Sequence, residues 1–323
     1  MTFQEYRQEE WFIMHHRDNC TICGRPLIKG MNTYVGKTES NILAYVCEDC
    51  NNLLLSSHFY TNSPGGKNKV PEPQTKLWRY MDLAKFLSLL ENKYLYCTRL
   101  DHFSDPYECS LGDKCNEELW YKSELERRKM MLSRVANVTD EELTIVAKRK
   151  IENFRNNIAH YRKKIYANCW HQSDFESEAM WKLYSNNGKE GIAIQTTFEK
   201  LYWSIKEYPI NTIVYYGLVN YIDFKEYNKG IPCDKTFHLF DAPWYKRKSF
   251  EHEKEFRILL ESPLSSSPDY NKKLYVDINS LIDTIYLSPQ SEDWFLDLIK
   301  KLRSRYKLSF DIKRSELNNL PFY

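Results

Sequence analysis

The sequence predicts an α+β protein: a mixed or antiparallel sheet core with a helical hairpin inserted into it, behind a small cysteine-rich module. Three observations lead there. Two Cys-x-x-Cys pairs, Cys20/Cys23 and Cys47/Cys50, stand near the N-terminus of the 323 residues. Short segments rich in β-branched and aromatic residues accumulate after about residue 165, with short helices between them. Two charged helical stretches interrupt the chain between about residues 117 and 164, and no period of self-similarity recurs.

The cysteine pairs define the first element, residues 1–60. A tetrahedral Zn²⁺ takes four soft donors, and two such knuckles supply four thiolates, Cys20, Cys23, Cys47 and Cys50, in a closed site that is structural rather than catalytic. GRPLIKGMNTYVG reads as a knuckle followed by a hairpin, and CEDCNNLLLSSHF as the start of a short helix, a treble-clef-like layout. Residues 61–75, rich in Gly, Pro, Asn and Lys, carry no hydrophobic period and read as a linker. The α+β domain then fills residues 76–323. It starts with a strand (KLWRYM), an amphipathic helix (DLAKFLSLLEN) and a second strand (KYLYCTRL), a compact β-α-β unit. Within the inserted pair, VTDEEL forms a capping box from Thr139 and Glu142. Strands are expected at IYANCW, GIAIQTT, TIVYYGLVNYI, EFRILLE, KLYVDI, TIYLS and FDIKR, and helices around MWKLYS, FEKLYWSI and EDWFLDLIKKLRSRY.

Composition narrows the function classes. A formal charge of +2 gives no global field toward nucleic acid or an anionic membrane, so any basic partner surface is local. Nine cysteines, four of them explained by metal, fit a reducing cytoplasm better than a disulfide scaffold. The polar N-terminus lacks a signal-like apolar core, and no run approaches ~18 apolar residues, so neither secretion nor a membrane span is expected. Aromatics make up 15% of the chain, which suits clamping a planar ligand and equally suits filling a core.

Chemistry concentrates in three segments. In KRKSFEHEKEFRILL, a strand would put Glu253, Glu255 and Arg257 on one face and Phe256, Ile258 and Leu260 on the other, whereas a helix would stack Glu251 on Glu255. Two carboxylates and a guanidinium on one face can orient a hydroxyl, stabilise a developing cation and hold a phosphate, the tasks of glycosyl transfer; an exposed charge ladder is the plain alternative. LYCTRLDHFSDPYEC ends a strand in a turn where Asp105 either faces a ligand or only forms the turn. In AMWKLYSNNGKEGIAI, Trp181 and Tyr184 lie three apart on one helical face, either stacking a ligand or packing the helix on the sheet. His171 has no nucleophile plainly paired to it, so a hydrolase triad is not argued. Neither a phosphate loop nor a dinucleotide fingerprint is present. No histidine lies between Cys23 and Cys47, which argues against a His-Asn-His nuclease.

From about Lys76 to the C-terminus the chain resembles a bacterial domain known as domain-of-unknown-function family 2971. LWRYMDLAKFLSLLENKYLYCTRLDHFSDPYE resembles its aromatic-Arg-Tyr opening and Asn-Asp-Pro-Phe-Glu turn, AMWKLYSNNGKEGIAI its Met-Trp-x-x-Tyr and following Gly, and FEHEKEFRI its Glu-x-Glu-x-Arg strand. Ser104 replaces the usual Asn, weakening any role that needs an amide, and Phe250 stands where Trp is common. The opening layout is also similar, more loosely, to the start of the ADP-ribosyltransferase fold. That analogy implies NAD as substrate, with Arg79 and the adjacent Tyr80 at its pyrophosphate or ribose, Tyr184 or Trp181 on nicotinamide, and Glu255 or Glu253 at the ribose 2′-hydroxyl.

Two functions follow as expectations. One is a cytoplasmic, NAD-consuming ADP-ribosyltransferase-like enzyme acting on a macromolecule or on water, in stress response or phage defence, with zinc as a structural ion. The other is a non-catalytic protein whose zinc module binds nucleic acid or a protein partner, Arg17, Arg25, Lys29 and Lys37 being available for phosphates. A metal-dependent nuclease needs a carboxylate cluster that the sequence does not assemble.

Overall fold

The computed structural model describes residues 4–7, 32–37, 43–47, 59–60, 71–110, 112, 117–132, 139–185, 188–207, 212–226, 239–262 and 269–322. Strands Gln4–Arg7 (β1), Asn32–Lys37 (β2) and Leu43–Cys47 (β3) form an antiparallel sheet of their own. Cys47 is buried at the end of that hairpin, opposite Thr33. Cys20, Cys23, Cys50 and the helix expected after them lie outside the described residues, as do residues 61–70 of the expected linker.

The large sheet is built from Phe59–Tyr60 (β4), Lys76–Asp82 (β5), Tyr94–Arg99 (β6), Ile165–Gln172 (β7), Gly191–Thr197 (β8), Ile205–Glu207 (β9), Ile213–Leu218 (β10), Glu255–Glu261 (β13), Asn271–Val276 (β14), Thr284–Leu287 (β15) and Asp311–Arg314 (β16). Its main path runs β16-β15-β8-β5-β7-β13-β10-β4, with β6, β14 and β9 branching from β7. Most neighbours are antiparallel; β15/β16 and β10/β4 are parallel. Asn220–Ile222 (β11) and Tyr245–Arg247 (β12) pair separately. The class is therefore α+β with a mixed sheet.

The β-α-β start keeps its order but not its pairing. Asp82 caps helix Leu83–Asn92 (α1) by accepting from the Lys85 amide, and Phe86, Leu89 and Leu90 bury one face in the core. The strands on either side do not pair with one another. Both dock on the same edge of β7: Leu77 and Trp78 oppose Gln172 and His171, while Thr98 and Arg99 oppose Ala167 and Tyr166. Residues 168–170 therefore face a fork in the sheet. The Asn168 side chain spans it, donating to the Tyr96 carbonyl at 2.7 Å and accepting from the Trp170 indole at 2.7 Å. Side chains thus replace part of the missing ladder and hold the fork open.

Helices Glu117–Leu132 (α2) and Asp140–Tyr161 (α3) pack as an antiparallel pair, linked by Glu117–Arg155, Glu124–Lys150 and Asp140–Lys129 ion pairs. The Thr139/Glu142 capping box opens α3. Helix Glu178–Tyr184 (α4) lies over β5 and β8. Trp181 is buried there against Tyr80 and Ala193, ring centroids 5.0 Å from Tyr80. Gly191 permits that docking, because a Cβ in its place would sit 2.7 Å from the Ser185 Cβ. Phe198–Ser204 (α5), Ile278–Leu281 (α6) and Asp293–Arg305 (α7) follow. Leu201, Ile278, Leu281, Phe295 and Ile299 from these helices join Leu77, Met81, Phe256, Ile258 and Leu260 in the main core. Among the described residues no helix is long and apolar enough to cross a membrane.

Candidate functional site

The fork opens into a cavity of about 640 Å³, a volume suited to a nucleotide-sized ligand. Of the residues singled out from the sequence, Arg79, Tyr80, Asp105, Tyr184, Glu253 and Glu255 line it. Trp181 and Arg257 do not.

Glu255 opens β13 directly opposite His171, and Arg257 sits opposite Cys169 on the same face, while Phe256, Ile258 and Leu260 enter the main core. The expected strand alternation holds from Glu255 onward. It fails for Glu253, which ends a 3-10 turn, Lys248–Glu253. Lys254 in the left-handed region (φ 39°, ψ 55°) caps that turn and interrupts the extended backbone that alternation requires. Glu253 still meets Glu255, through Lys246 of β12. The Lys246 ammonium contacts Glu253 and lies 2.5 Å from Glu255 Oε1.

Behind Glu255 stands the fully buried Arg257. Its Nε donates to Glu255 Oε2 at 2.6 Å, and its Nη1 donates to the Pro243 carbonyl at 2.7 Å and to Glu108. A chain of alternating charge therefore runs from Glu108 through Arg257, Glu255 and Lys246 to Glu253, where the Tyr184 hydroxyl donates at 3.2 Å. Burial drives Glu255 up, but Arg257, the bond with Glu253 and Lys246 together overcome it and hold the carboxyl far below its usual range. Burial, then the hydrogen bond and charge of Glu255, push Glu253 the other way, to about 7, against the pull of Lys246. The surroundings thus push the two neighbouring carboxyls apart, favouring the anion at Glu255 and the proton at Glu253.

A pH signature follows. Because its folded pKa lies above the ordinary 4.5, Glu253 contributes stability that is complete below about pH 4.5 and lost as pH rises toward about 7. Glu253→Gln is expected to flatten the fall in stability across that window, measured as urea midpoints from pH 4 to 8. An unchanged slope would place the proton elsewhere.

On the opposite wall, Arg79 of β5 donates through Nη1 to the Cys169 carbonyl at 2.7 Å, and its guanidinium lies 5.7 Å from the Trp170 ring centroid. Burial depresses its pKa, and the influences that oppose this come from Cys169, Cys97 and Tyr184. Among the described residues it has no carboxylate partner, which leaves a cation facing the cavity. Tyr80 lines the wall beside it, its hydroxyl accepting from the Ser177 amide at 2.8 Å. Asp105 forms the turn and also lines the cavity. Its carboxylate accepts from the Tyr107 amide at 3.1 Å and pairs with Arg247 at 2.7 Å. Trp181, by contrast, donates from its indole to Glu176 at 3.0 Å and packs α4 on the sheet.

Two residues were missed by the sequence reading, Lys246 and Glu108, and one that it set aside, His171, reaches the cavity. Lys246 lies seven residues before Glu253 with nothing in the spacing to join them, and Glu108 is 149 residues from Arg257. The His171 Nδ1 lies 2.6 Å from the Glu253 carbonyl, an oxygen that can only accept, so Nδ1 carries the proton. Burial lowers its pKa, which keeps the ring neutral with Nε2 unprotonated.

Residues 180–258 match the family described as Protein of unknown function (DUF2971). The DUF2971 match runs from α4 into β13, so it takes in Tyr184, Lys246, Glu253, Glu255 and Arg257 but not Arg79, Asp105 or Glu108. It is narrower than the stretch over which the motifs resemble that family. No curated protein and no solved structure matches the chain.

Proposed function

We propose that the cavity binds NAD and breaks its nicotinamide–ribose bond, passing ADP-ribose to a macromolecule or to water. The carrying observation is Arg79, a half-buried cation without a carboxylate partner among the described residues, in the same cavity as two carboxyls whose pKa values are pushed in opposite directions. Arg79 offers a planar fork to the pyrophosphate. Tyr184 lies against the planar base. As the bond breaks, nicotinamide leaves with its electron pair and positive charge develops on the ribose, where the fixed anion of Glu255 is most effective in a water-poor site. Glu253, near neutrality, accepts the proton released by the attacking hydroxyl. Released nicotinamide, quantified after incubating the full chain with NAD, tests this reading. Failure to bind millimolar NAD, with or without cell extract as a source of acceptor, would end it.

The proposal extends to the N-terminal cysteines as a structural zinc site in a reducing, cytoplasmic setting. Cys47 fits it, since its burial at the end of the β2/β3 hairpin withdraws the thiol from solvent as a closed site requires. Elemental analysis should find one zinc per chain, and Cys47→Ser should lose most of it. A metal-free protein that folds normally would refute the assignment.

A further inference from the structure

Antiparallel β6 and β14 form a ribbon with two unlike faces. Leu95, Cys97, Leu274 and Val276 point into the main core. The register sets Tyr94 opposite Tyr275, Tyr96 opposite Lys273 and Thr98 opposite Asn271, all on the other face. Tyr96 and Tyr275 are 44% and 40% exposed, unusual for rings in mid-sheet. Between them lies Tyr94, edge-on to both at 4.9 and 5.6 Å, its hydroxyl 2.8 Å from that of Tyr96. The Lys273 ammonium stands 4.9 Å from the Tyr94 ring centroid. Past the end of the ribbon, Tyr270, 54% exposed, lies against His102 at 4.1 Å and beneath Arg99 at 4.9 Å.

The charge on this ribbon is one-sided. Its two strands carry no carboxylate; of their three cations only Lys273 lies on the tyrosine face, Lys272 and Arg99 alternating onto the other. Asp101 balances Arg99 at 2.7 Å, whereas Lys273 has no carboxylate partner among the described residues. The face also continues into the cavity, because Tyr94, Tyr96 and Thr98 belong to both. Exposed rings beside an unbalanced cation, Lys273, are what a flexible polyanion with planar bases requires: stacking surfaces that accept any base and a charge for a phosphate. A folded protein partner would ask instead for a buried apolar centre with a paired polar rim.

We propose that this face binds single-stranded nucleic acid, with bases stacked on Tyr96 and Tyr275 and a phosphate at Lys273, leading one end of the strand to the mouth of the cavity. The inference stands on the ribbon alone and does not need the NAD reading to hold. Fluorescence anisotropy of a labelled thymidine oligonucleotide of about 12 residues, titrated with the full chain over a range of salt concentrations, tests it. Tyr96→Ala and Tyr275→Ala should each weaken binding roughly tenfold to a hundredfold, and Tyr→Phe at either position should retain most of it. Lys273→Ala should reduce the salt slope by about 0.7. Absence of binding at low salt, equal affinity in the alanine variants, or preference for duplex or for an acidic peptide would each overturn it. Because the Phe variants keep the rings, a loss shared by Phe and Ala variants would likewise count against stacking.

Discussion

Glu255→Gln is expected to lower nicotinamide release by at least about a hundredfold, with little change in the affinity for NAD. The amide keeps the shape of the carboxylate and one oxygen for Lys246 or Arg257, so the cavity wall stays in place. What is lost is the negative charge facing the developing oxocarbenium, and removing a preorganised electrostatic group of this kind costs ~10²–10³ in turnover. The variant should still fold. Without its charged neighbour, Glu253 loses the hydrogen bond and the charge of Glu255 that help to raise its pKa, which favours its ionised form as the partner of Lys246 while Arg257 keeps Glu108. Turnover within tenfold of the unmodified protein would remove Glu255 from the chemistry. Circular dichroism melts separate that outcome from simple unfolding.

Arg257→Met is expected to destabilise the protein by about 3–5 kcal/mol, because it strands the buried carboxylate of Glu108 and leaves that of Glu255 with Lys246 alone. For a domain of this size that corresponds to a melting temperature lower by roughly 6–20 °C. Lysine should not rescue it. Arg257 bonds Glu255 through Nε and both Glu108 and the Pro243 carbonyl through Nη1, and one ammonium cannot occupy both positions. Adding Glu108→Gln to Arg257→Met should recover part of the loss, since the second change removes a charge left without its counter-ion. If Arg257→Met melted like the parent, the buried chain of charge would have no structural weight.

Much of the scaffold was legible because local pattern and tertiary demand agree. Segments rich in β-branched and aromatic residues marked β7, β8, β13 and β15, and Thr139 with Glu142 announced a helix start that the structure caps as expected. The pairing of strands was not legible. Adjacency in sequence suggested that β5 and β6 lie side by side, yet each pairs with a different half of β7, a choice set by long-range register rather than by either segment. The site divides in the same way. Glu255 and Arg257 were visible as an alternating pair, whereas Glu253 joins them by a backbone reversal at Lys254, a left-handed position that a lysine does not advertise. Lys246 and Glu108 became meaningful only once folding had brought distant charges together. Between Trp181 and Tyr184, helical spacing put both on one side but could not say which would reach the cavity; the docking of α4, with Trp181 packed on Tyr80 and Ala193, decides that.

The forked sheet also bears on how such a protein is made. Arg79 meets the backbone of Cys169 across 90 residues, and Glu108 meets Arg257 across 149. A nascent chain that has left the ribosome only as far as residue 250 has the Arg79 guanidinium but neither Glu253 nor Glu255 of the opposite wall. If the completed cavity consumes a nucleotide the cell depends on, the order of synthesis itself keeps every unfinished copy harmless.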